Sequence, residues 1–147
     1  MIIRFAKLEE LDAILRLNEE FCKENCCNAI ITDNIDFFKS KNILVAIIDD
    51  LICGYAYGDI NGAIKTTTYH KKDDKIFYLE ELYVKKQFRN KHIGTKLFEY
   101  LEQYAKDNHC KSIELNASSK DYKKLLHFYI DELGMSFFSA FLYKKLN

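Results

Sequence analysis

The most constraining feature of this 147-residue chain is a change of hydrophobic period in its second half. Ile76 to Val84 is rich in β-branched and aromatic residues, which predicts a strand. After a short polar turn, apolar residues recur at helical spacing from Ile93 to Ala105, which predicts an amphipathic helix. A strand that leads directly into a helix is typical of mixed α/β domains.

The segments on either side of this unit extend the same α/β pattern. Ile2 to Phe5 predicts a first strand, and the spacing from Leu11 to Cys22 predicts a first helix. Turns are expected at Asp49-Asp50, inside a hairpin, and at Asn61-Gly62. The other expected elements are a short helix (Asp33–Lys39), strands (Ile43–Ile48, Leu51–Tyr57, Ser112–Leu115), a helix (Tyr122–Leu133, capped by Ser118 or Ser119 and ended by Gly134) and a final long strand or hairpin (Phe137–Leu146).

Length and charge limit the class of protein. A chain of this length suits one domain, residues 1–147. Lys plus Arg and Asp plus Glu number 22 each, so no bulk field attracts nucleic acid or an anionic membrane. No apolar run approaches the roughly 18 residues that cross a bilayer, and charged residues interrupt the N-terminus. We therefore expect a cytoplasmic protein with neither nucleic acid nor membrane as a partner.

The five cysteines predict free thiols in a reducing compartment, because a disulfide framework normally uses an even set. Cys22 and Cys26 are one helical turn apart, which is compatible with a metal site. However, no CxxC pair or His-x-x-x-His pair completes a zinc ligand set, so no metal is expected.

The polar turn from Arg89 to Gly94 is a candidate anion site. A helix start leaves backbone N–H groups unpaired and carries the positive end of the helix dipole, which suits a pyrophosphate. Arg89, Lys91 and Lys96 add positive charge, and Gly94 removes a Cβ where an anion would approach. The spacing is neither GxGxxG nor a P-loop, so an ordinary turn with solvated lysines is the alternative.

The segment LYVKKQFRNKHIG, residues 82–94, resembles the central motif of the GNAT acetyltransferase superfamily. IRFAKLEELDAILRL, ICGYA and HFYIDELGM resemble the family's first strand and helix, its third strand, and its last helix, so the resemblance covers nearly the whole chain. It implies a GNAT-type α/β fold: a mixed, mainly antiparallel central sheet flanked by about four helices.

The resemblance also implies acetyl-CoA as acetyl-donor cosubstrate. The backbone of Leu82, Tyr83 and Val84 would bind the pantetheine arm like an added strand. The backbone amides of the turn would bind the pyrophosphate, at Arg89, Asn90, Lys91, His92, Ile93, Gly94 and Thr95. The sequence departs from the family pattern with Asn90 and His92 where glycines are usual, and with Lys86 where proline is common.

YLEELYV resembles the Y-L-E-D segment of diamine and polyamine N-acetyltransferases. This match implies that Glu80 is the general base and Glu81 a partner for the substrate's charge. On a regular strand the two side chains face opposite sides, whereas a bulge brings both close together. A pair of exposed glutamates without a catalytic role is the alternative.

Tyr129 matches the family tyrosine that lies near the thiol sulfur and acts as general acid; a buried core tyrosine is the alternative. Three residues separate the Phe-Tyr pair from Leu-Gly-Met, where two are more common: Ile130, Asp131 and Glu132. Tyr122 stands in place of a family asparagine one turn earlier. His127 is expected at the surface or in packing.

Together these features predict an acetyl-CoA-dependent N-acetyltransferase that acts on a primary amine of a small molecule, such as a polyamine or a lysine-like compound. Acetylation of an aminoglycoside, or of a protein or peptide, is an alternative. A non-catalytic acyl-CoA-binding module is a further alternative, which the replaced glycines favour and the retained Glu80, Glu81 and Tyr129 oppose. The resemblance also implies a homodimer.

Overall fold

The computed structural model describes residues 1–147 and contains one five-stranded sheet with helices on both faces. The strands are β1 (Ile2–Phe5), β2 (Leu44–Ile48), β3 (Leu51–Gly62), β4 (Lys75–Val84) and β5 (Ser112–Glu114). The helices are α1 (Leu11–Glu24), α2 (Ile35–Lys39), α3 (Ile93–Asp107) and α4 (Tyr122–Leu126), with α4 continuing as a π-helix (His127–Glu132) and short 3₁₀ turns at Leu8–Glu10 and Lys86–Phe88. The expected mixed α/β fold with a mostly antiparallel sheet is confirmed. None of the helices combines the length and the apolar character that a bilayer span requires.

The sheet has the order β1-β2-β3-β4-β5, and its first three pairings are antiparallel. The last pairing is parallel and short, because only Ile76–Tyr78 of β4 pairs with Ser112–Glu114 of β5. Beyond Tyr78 the two strands diverge, while β4 stays paired with β3 as far as Val84. One edge of β4 therefore faces a gap, although β4 is an interior strand.

Two apolar clusters hold the helices against opposite faces of the sheet. The first includes Leu97 and Leu101 of α3, and the second includes Ile14 and Leu17 of α1 together with Phe38 of α2. All five side chains are buried. Each buried side chain of this size contributes about 1.5–3 kcal/mol relative to exposure, so both helix layers are firmly attached to the sheet.

A β-bulge interrupts the β3–β4 ladder at Glu80. Tyr57 pairs with Glu81 and the next residue, Gly58, pairs with Leu79, so Glu80 has no partner across the ladder. A Cβ on Gly58 would collide with the carbonyl of the strand opposite, so glycine permits this close approach. An inserted residue shifts the alternation of side chains between the two faces.

Three local expectations are wrong. Asn61 and Gly62 end β3 instead of forming a tight turn, and residues 63–74 make the connection to β4. The cap of α4 is not Ser118 or Ser119 but Asp121, whose carboxylate accepts from the amide of Lys124 at 3.3 Å. The reason is that Ser119 Oγ is already bonded to the amide of Asp121 at 3.1 Å.

The expected C-terminal strand at Phe137–Leu146 is also absent. A strand needs a partner for its backbone groups, and no backbone group of residues 136–147 makes a hydrogen bond within the chain. The large apolar side chains of this segment are exposed: Phe137, Phe138, Phe141, Leu142, Tyr143 and Leu146.

Candidate active site

The turn before α3 presents a row of free backbone donors. The first hydrogen bond of the helix runs from the amide of Lys96 to the carbonyl of His92, at 3.0 Å. The six amides from Asn90 to Thr95 donate to no group of the protein, and only that of Arg89 is bonded, to Lys86 at 3.3 Å. Such consecutive N–H groups at the positive end of a helix dipole form an anion-binding surface.

The two residues that replace family glycines both adopt left-handed backbone conformations. Asn90 has φ 60° and His92 has φ 57°. Asn and His are among the residues that tolerate this region best, so the turn keeps a glycine-like path without glycine. The His92 imidazole caps nothing in the helix, which leaves the amides of the turn unobstructed by a capping bond.

The side chain of Arg89 is engaged within the protein. Its guanidinium binds both oxygens of Glu24, at 2.8 and 2.9 Å, and its Nε donates to the carbonyl of Val84 at 2.9 Å. Tyr83 donates to the same Glu24 at 2.6 Å, and the guanidinium lies 5.5 Å from the Tyr83 ring centre. Arg89 thus ties the turn to the end of α1 and does not present a free charge to a phosphate.

Lys91 and Lys96, the two lysines expected to add charge near the turn, differ in their partners. Lys96 pairs with Glu99 at 2.8 Å on the exposed side of α3. Lys91 has no acidic partner and lies over the Phe88 ring, 5.4 Å from its centre. Of the three cations expected around the turn, Lys91 is therefore the one left unneutralised.

Gly94 has a packing role at the start of α3. A Cβ there would lie 3.2 Å from Cζ of Phe128 and 3.7 Å from Cδ2 of Leu82. Glycine thus lets the π-helix and β4 pack closely against the helix start. The sequence did not indicate this packing role, and the expectation that Gly94 makes room for an anion stays a prediction.

The free edge of β4 includes the predicted pantetheine-binding residues. Leu82, Tyr83 and Val84 pair with β3 on one side and have no strand on the other. This edge leads to the amides at Asn90 to Thr95 through the 3₁₀ turn of Lys86 to Phe88. An extended ligand arm can add to such an edge as a further strand.

Glu81 lies in a buried polar cluster on the face covered by α1 and α2. Tyr55 donates a short hydrogen bond to its Oε1, Asn18 donates to the same oxygen at 3.1 Å, and Tyr57 donates to Oε2 at 3.3 Å. Burial raises the pKa of Glu81, although these three hydrogen bonds act in the opposite direction. Asp33 adds a second carboxylate, 3.4 Å from the Tyr57 hydroxyl.

Glu80 faces the same side of the sheet because the bulge displaces it by one position. Its Oε1 accepts from Lys41 at 3.2 Å, and Lys41 also binds Asp59. Burial raises the pKa of Glu80, the neighbouring Asp59 raises it further, and Lys41 opposes both. Glu80 accepts no other bond from an N–H donor, and its carboxyl lies within hydrogen-bond reach of the Asp59 carboxyl. The two predicted catalytic carboxylates are thus adjacent but differ in their environments.

Tyr129 lies in the π-helix, which accommodates the extra residue noted in the sequence. The amide of Leu133 bonds to the carbonyl of Phe128, five residues back, at 3.1 Å. A π-helical turn adds one residue to a helix and is frequent at functional sites. The ring of Tyr129 is buried against Phe98 and Phe128, with centres 6.1 and 5.0 Å away. Its hydroxyl makes no hydrogen bond within the protein, and burial raises the pKa of Tyr129 to about 12.

Cys27 is a site neighbour that the sequence did not reveal. Burial raises the pKa of the Cys27 thiol to about 11, with Cys26 and Glu81 adding to the shift. The thiol also raises the pKa of Tyr129, so Cys27 lies within electrostatic range of two of the predicted catalytic residues. No group of three or more His, Cys, Asp or Glu side chains is placed to hold a metal ion.

A backbone bridge joins the loop after α1 to the loop after β5. Cys27 pairs with Ser119, the amide of Asn28 donates to Ser118 at 2.9 Å, and that of Lys120 donates to Cys26 at 2.8 Å. One loop follows α1, and the other follows β5, which is paired with β4 only as far as Tyr78. The bridge therefore holds these two loops together through their backbones.

The site as a whole also contains residues that no sequence signal indicated. Asn18, Tyr55 and Tyr57 contact Glu81 across 63, 26 and 24 positions of the chain. Lys41 contacts Glu80 across 39 positions. Contacts this distant along the chain leave no periodic pattern, so only the folded sheet identifies them.

The chain is similar to known proteins in sequence and in fold. Residues 8–135 match the sequence model of the Acetyltransferase (GNAT) family. That range includes the carboxylates, the turn and Tyr129. No curated protein sequence matches the chain significantly.

Solved structures share the fold at low sequence identity. A single-substitution mutant of the BH1408 protein from Bacillus halodurans has a TM-score of 0.78 at 23% identity, over 100% of both chains. Ribosomal-protein-alanine N-acetyltransferase from Brucella melitensis biovar Abortus 2308 has a TM-score of 0.71 at 17% identity, over 99% of this chain and 100% of the other. Aminoglycoside N-acetyltransferase AAC(6')-Iy in complex with CoA has a TM-score of 0.68 at 16% identity, over 99% of both chains. At these identities the similarity is one of fold.

Proposed function

Because the chain belongs to the GNAT acetyltransferase family, whose members are acyl-CoA-dependent N-acetyltransferases, we propose that it acetylates a primary amine of a small cationic molecule. The acetyl donor is acetyl-CoA, and the acceptor is a small primary amine that binds as an ammonium ion, with polyamines and lysine-like compounds as the candidate classes. The amine attacks the thioester directly, without a covalent intermediate on the protein.

The cofactor is held mainly by backbone groups in this proposal. The free amides from Asn90 to Thr95 bind the pyrophosphate, with Lys91 as the nearest unpaired side-chain charge. The pantetheine arm lies along the free edge of Leu82 to Val84, in the gap left by the divergence of β4 and β5. This path directs the thioester toward the bulge at Glu80.

The two carboxylates take different roles because their hydrogen bonds differ. An alkyl amine has a reference pKa of about 10.4, so it arrives as an ammonium ion and must lose a proton before attack. Glu81 already accepts three hydrogen bonds and serves as the fixed negative charge that attracts the ammonium. Glu80 accepts an N–H bond only from Lys41 and has a pKa raised by burial and by Asp59, which suits a general base.

Transfer then forms one bond and breaks another. The amine nitrogen bonds to the acetyl carbon, the carbon–sulfur bond breaks, and the sulfur leaves with the electron pair. The Tyr129 hydroxyl, which has no partner in the protein, gives its proton to the departing thiolate and regains one from solvent. The nitrogen loses two protons between ammonium and amide: the first passes to Glu80, directly or through water, and the second is released to solvent, which resupplies the Tyr129 hydroxyl.

The size of the acceptor is inferred from the bridge between the loops at Cys26–Asn28 and Ser118–Lys120. This bridge restricts the cleft on the side of α1, so it favours a small molecule over an extended peptide. The buried acidic cluster around Glu81 favours a cationic molecule over a neutral one.

The single observation that carries the proposal is the bulge at Glu80. It places two carboxylates side by side on one face, next to a free strand edge that leads to six free amides. A regular strand would separate the carboxylates, and neither the edge nor the amides alone would imply amine chemistry.

The test is thiol release from acetyl-CoA with a panel of acceptors: diamines, lysine, aminoglycosides and short peptides. We expect turnover with at least one small amine and acetylated product of the matching mass. Calorimetry with acetyl-CoA on the same preparation is the control for cofactor binding. Tight cofactor binding with no turnover on any acceptor would support a non-catalytic acyl-CoA-binding module instead. Turnover confined to peptides or aminoglycosides would support those alternatives.

A further inference from the structure

Lys41 places a primary ammonium group inside the acceptor region. Its Nζ binds Asp59 and lies 3.2 Å from Oε1 of Glu80, and only 13% of its side chain is exposed. The same nitrogen lies 5.2 Å from the ring centre of Phe37 and 6.0 Å from that of Tyr57. Two carboxylates with two aromatic rings are the surroundings that recognise an alkylammonium ligand.

Tyr57 lies between these surroundings of Lys41 and a second pair of carboxylates. Its hydroxyl contacts Oε2 of Glu81 and Oδ2 of Asp33, at 3.3 and 3.4 Å. We call Glu81 with Asp33 the inner acidic site, and Asp59 with Glu80 the outer acidic site. No basic side chain pairs with either member of the inner site, whereas Lys41 occupies the outer one.

The Lys41 ammonium is held in its charged form. Burial lowers its pKa, but hydrogen bonds and charge from Asp59 and Glu80 outweigh that effect, and the net shift is upward. A positively charged group of an acceptor therefore meets an outer site already filled by an ammonium, which offsets one of its two carboxylate charges, and an inner site that has no basic partner.

We propose that Lys41 is a specificity-determining residue, whose ammonium fills the outer acidic site and so restricts the acceptor to molecules that carry one ammonium group. This inference rests on the proposed function and narrows its substrate class to monoamines, so that polyamines and lysine, which carry more than one ammonium group, become poor acceptors for the wild-type protein. A second ammonium on the acceptor would have to displace Lys41 from two carboxylates and two rings.

The test compares butylamine with 1,4-diaminobutane, two acceptors of equal chain length that differ by one amine. Lys41→Met removes the ammonium and keeps the length of the side chain. We expect kcat/KM for the diamine, relative to the monoamine, to rise by about tenfold or more, mainly through a lower KM. Lys41→Arg keeps the positive charge and retains the wild-type ratio. Lys39→Met is the matched surface control, since Lys39 pairs only with Asp36 on exposed α2.

A purely structural role for Lys41 would not change the pH profile in a defined direction. Lys41 lowers the pKa of Glu80, whereas Asp59, the other charged group that acts on it, raises it. Removing Lys41 therefore raises the pKa of Glu80, and the acid limb of the activity profile moves to higher pH. Lys41→Gln is the second variant, for use if Lys41→Met folds poorly. Its amide can still bond to both carboxylates, and it gives the same rise in the diamine-to-monoamine ratio and the same shift of the acid limb to higher pH.

A diamine-to-monoamine ratio that stays within about twofold of wild type in both well-folded variants would overturn the proposal. Calorimetric titration of each amine into the CoA complex measures the same ratio without turnover. If the wild-type protein acetylates neither amine, the proposed function fails for these acceptors. The calorimetric ratio still decides whether Lys41 selects by charge.

Discussion

The turn at Asn90–Thr95 and the carboxylate pair Glu80–Glu81 present their chemistry in opposite ways. The turn offers backbone amides, while the charged side chains of Arg89 and Lys96 beside it are bound to other residues. The carboxylate pair offers side chains, each held by partners from distant segments. The first region depends on the path of the chain, and the second depends on the identity of each residue.

This difference predicts that the two regions tolerate substitution differently. Asn90 and His92 replace glycine without closing the turn, because each can adopt a positive φ and each retains its N–H group. At Glu81, by contrast, three donors converge on one carboxylate, so a different side chain leaves buried groups unpaired. The following variants test how far this contrast extends, from the largest expected effect to the smallest.

Glu80→Gln should have the largest effect. We expect kcat/KM to fall by about 100-fold or more near neutral pH, because the proposed general base is lost. Since the pKa of Glu80 is raised, wild-type activity should decline as the pH falls through that raised value, above the ordinary carboxyl value of about 4.3. The acid limb should disappear in the variant while acetyl-CoA affinity stays the same. An unaltered pH profile would assign the base to another group.

Tyr129→Phe should lower kcat by about 10–100-fold with little change in acetyl-CoA affinity, because only the hydroxyl proton is removed. The ring contacts with Phe98 and Phe128 remain. Tyr104→Phe is the matched control, since Tyr104 packs in the same core cluster, next to Phe77 and away from the π-helix. Equal activity in the Tyr129 and Tyr104 variants would leave Tyr129 a packing residue.

Arg89→Met should affect folding and the cofactor together. Loss of the bonds to Glu24 and Val84 should lower the free energy of unfolding by about 1–2 kcal/mol, measured by denaturant titration. Acetyl-CoA affinity should fall by about three- to tenfold, as the turn loosens. Lys96→Met is the control with an exposed pair. A loss of affinity above about 100-fold with unchanged stability would mean that the guanidinium binds phosphate directly.

His92→Gly should have the smallest effect. The amide is retained and the positive φ suits glycine, so acetyl-CoA affinity should change by less than about threefold. Asn90→Gly should behave in the same way. A loss of more than about tenfold in either variant, measured by calorimetry, would show that a side chain of the turn contributes a direct contact and would weaken the contrast between the two regions.

Local periodicity was enough to locate most elements. The helix expected from Ile93 to Ala105 is found as α3 (Ile93–Asp107), and the strand expected at Ile76–Val84 lies within β4. Both signals come from residues within one turn or one strand, so no distant contact is needed to recognise them. The same local reasoning failed at Phe137–Leu146, because alternating apolar residues form a strand only when another strand supplies backbone partners.

The sequence by itself therefore determined the α/β order, the turn before α3 and the extra residue beside Tyr129, which the structure accommodates as a π-helix. Only the tertiary structure decided which face of the sheet Glu80 occupies. It also decided that Lys41 lies near Glu80, and that Asn18 and Cys27 lie near Glu81. The physical reason is the distance along the chain over which each signal acts, since helix and strand periods extend over only a few residues. The bulge and the polar clusters arise from strand pairing and helix packing between segments tens of residues apart.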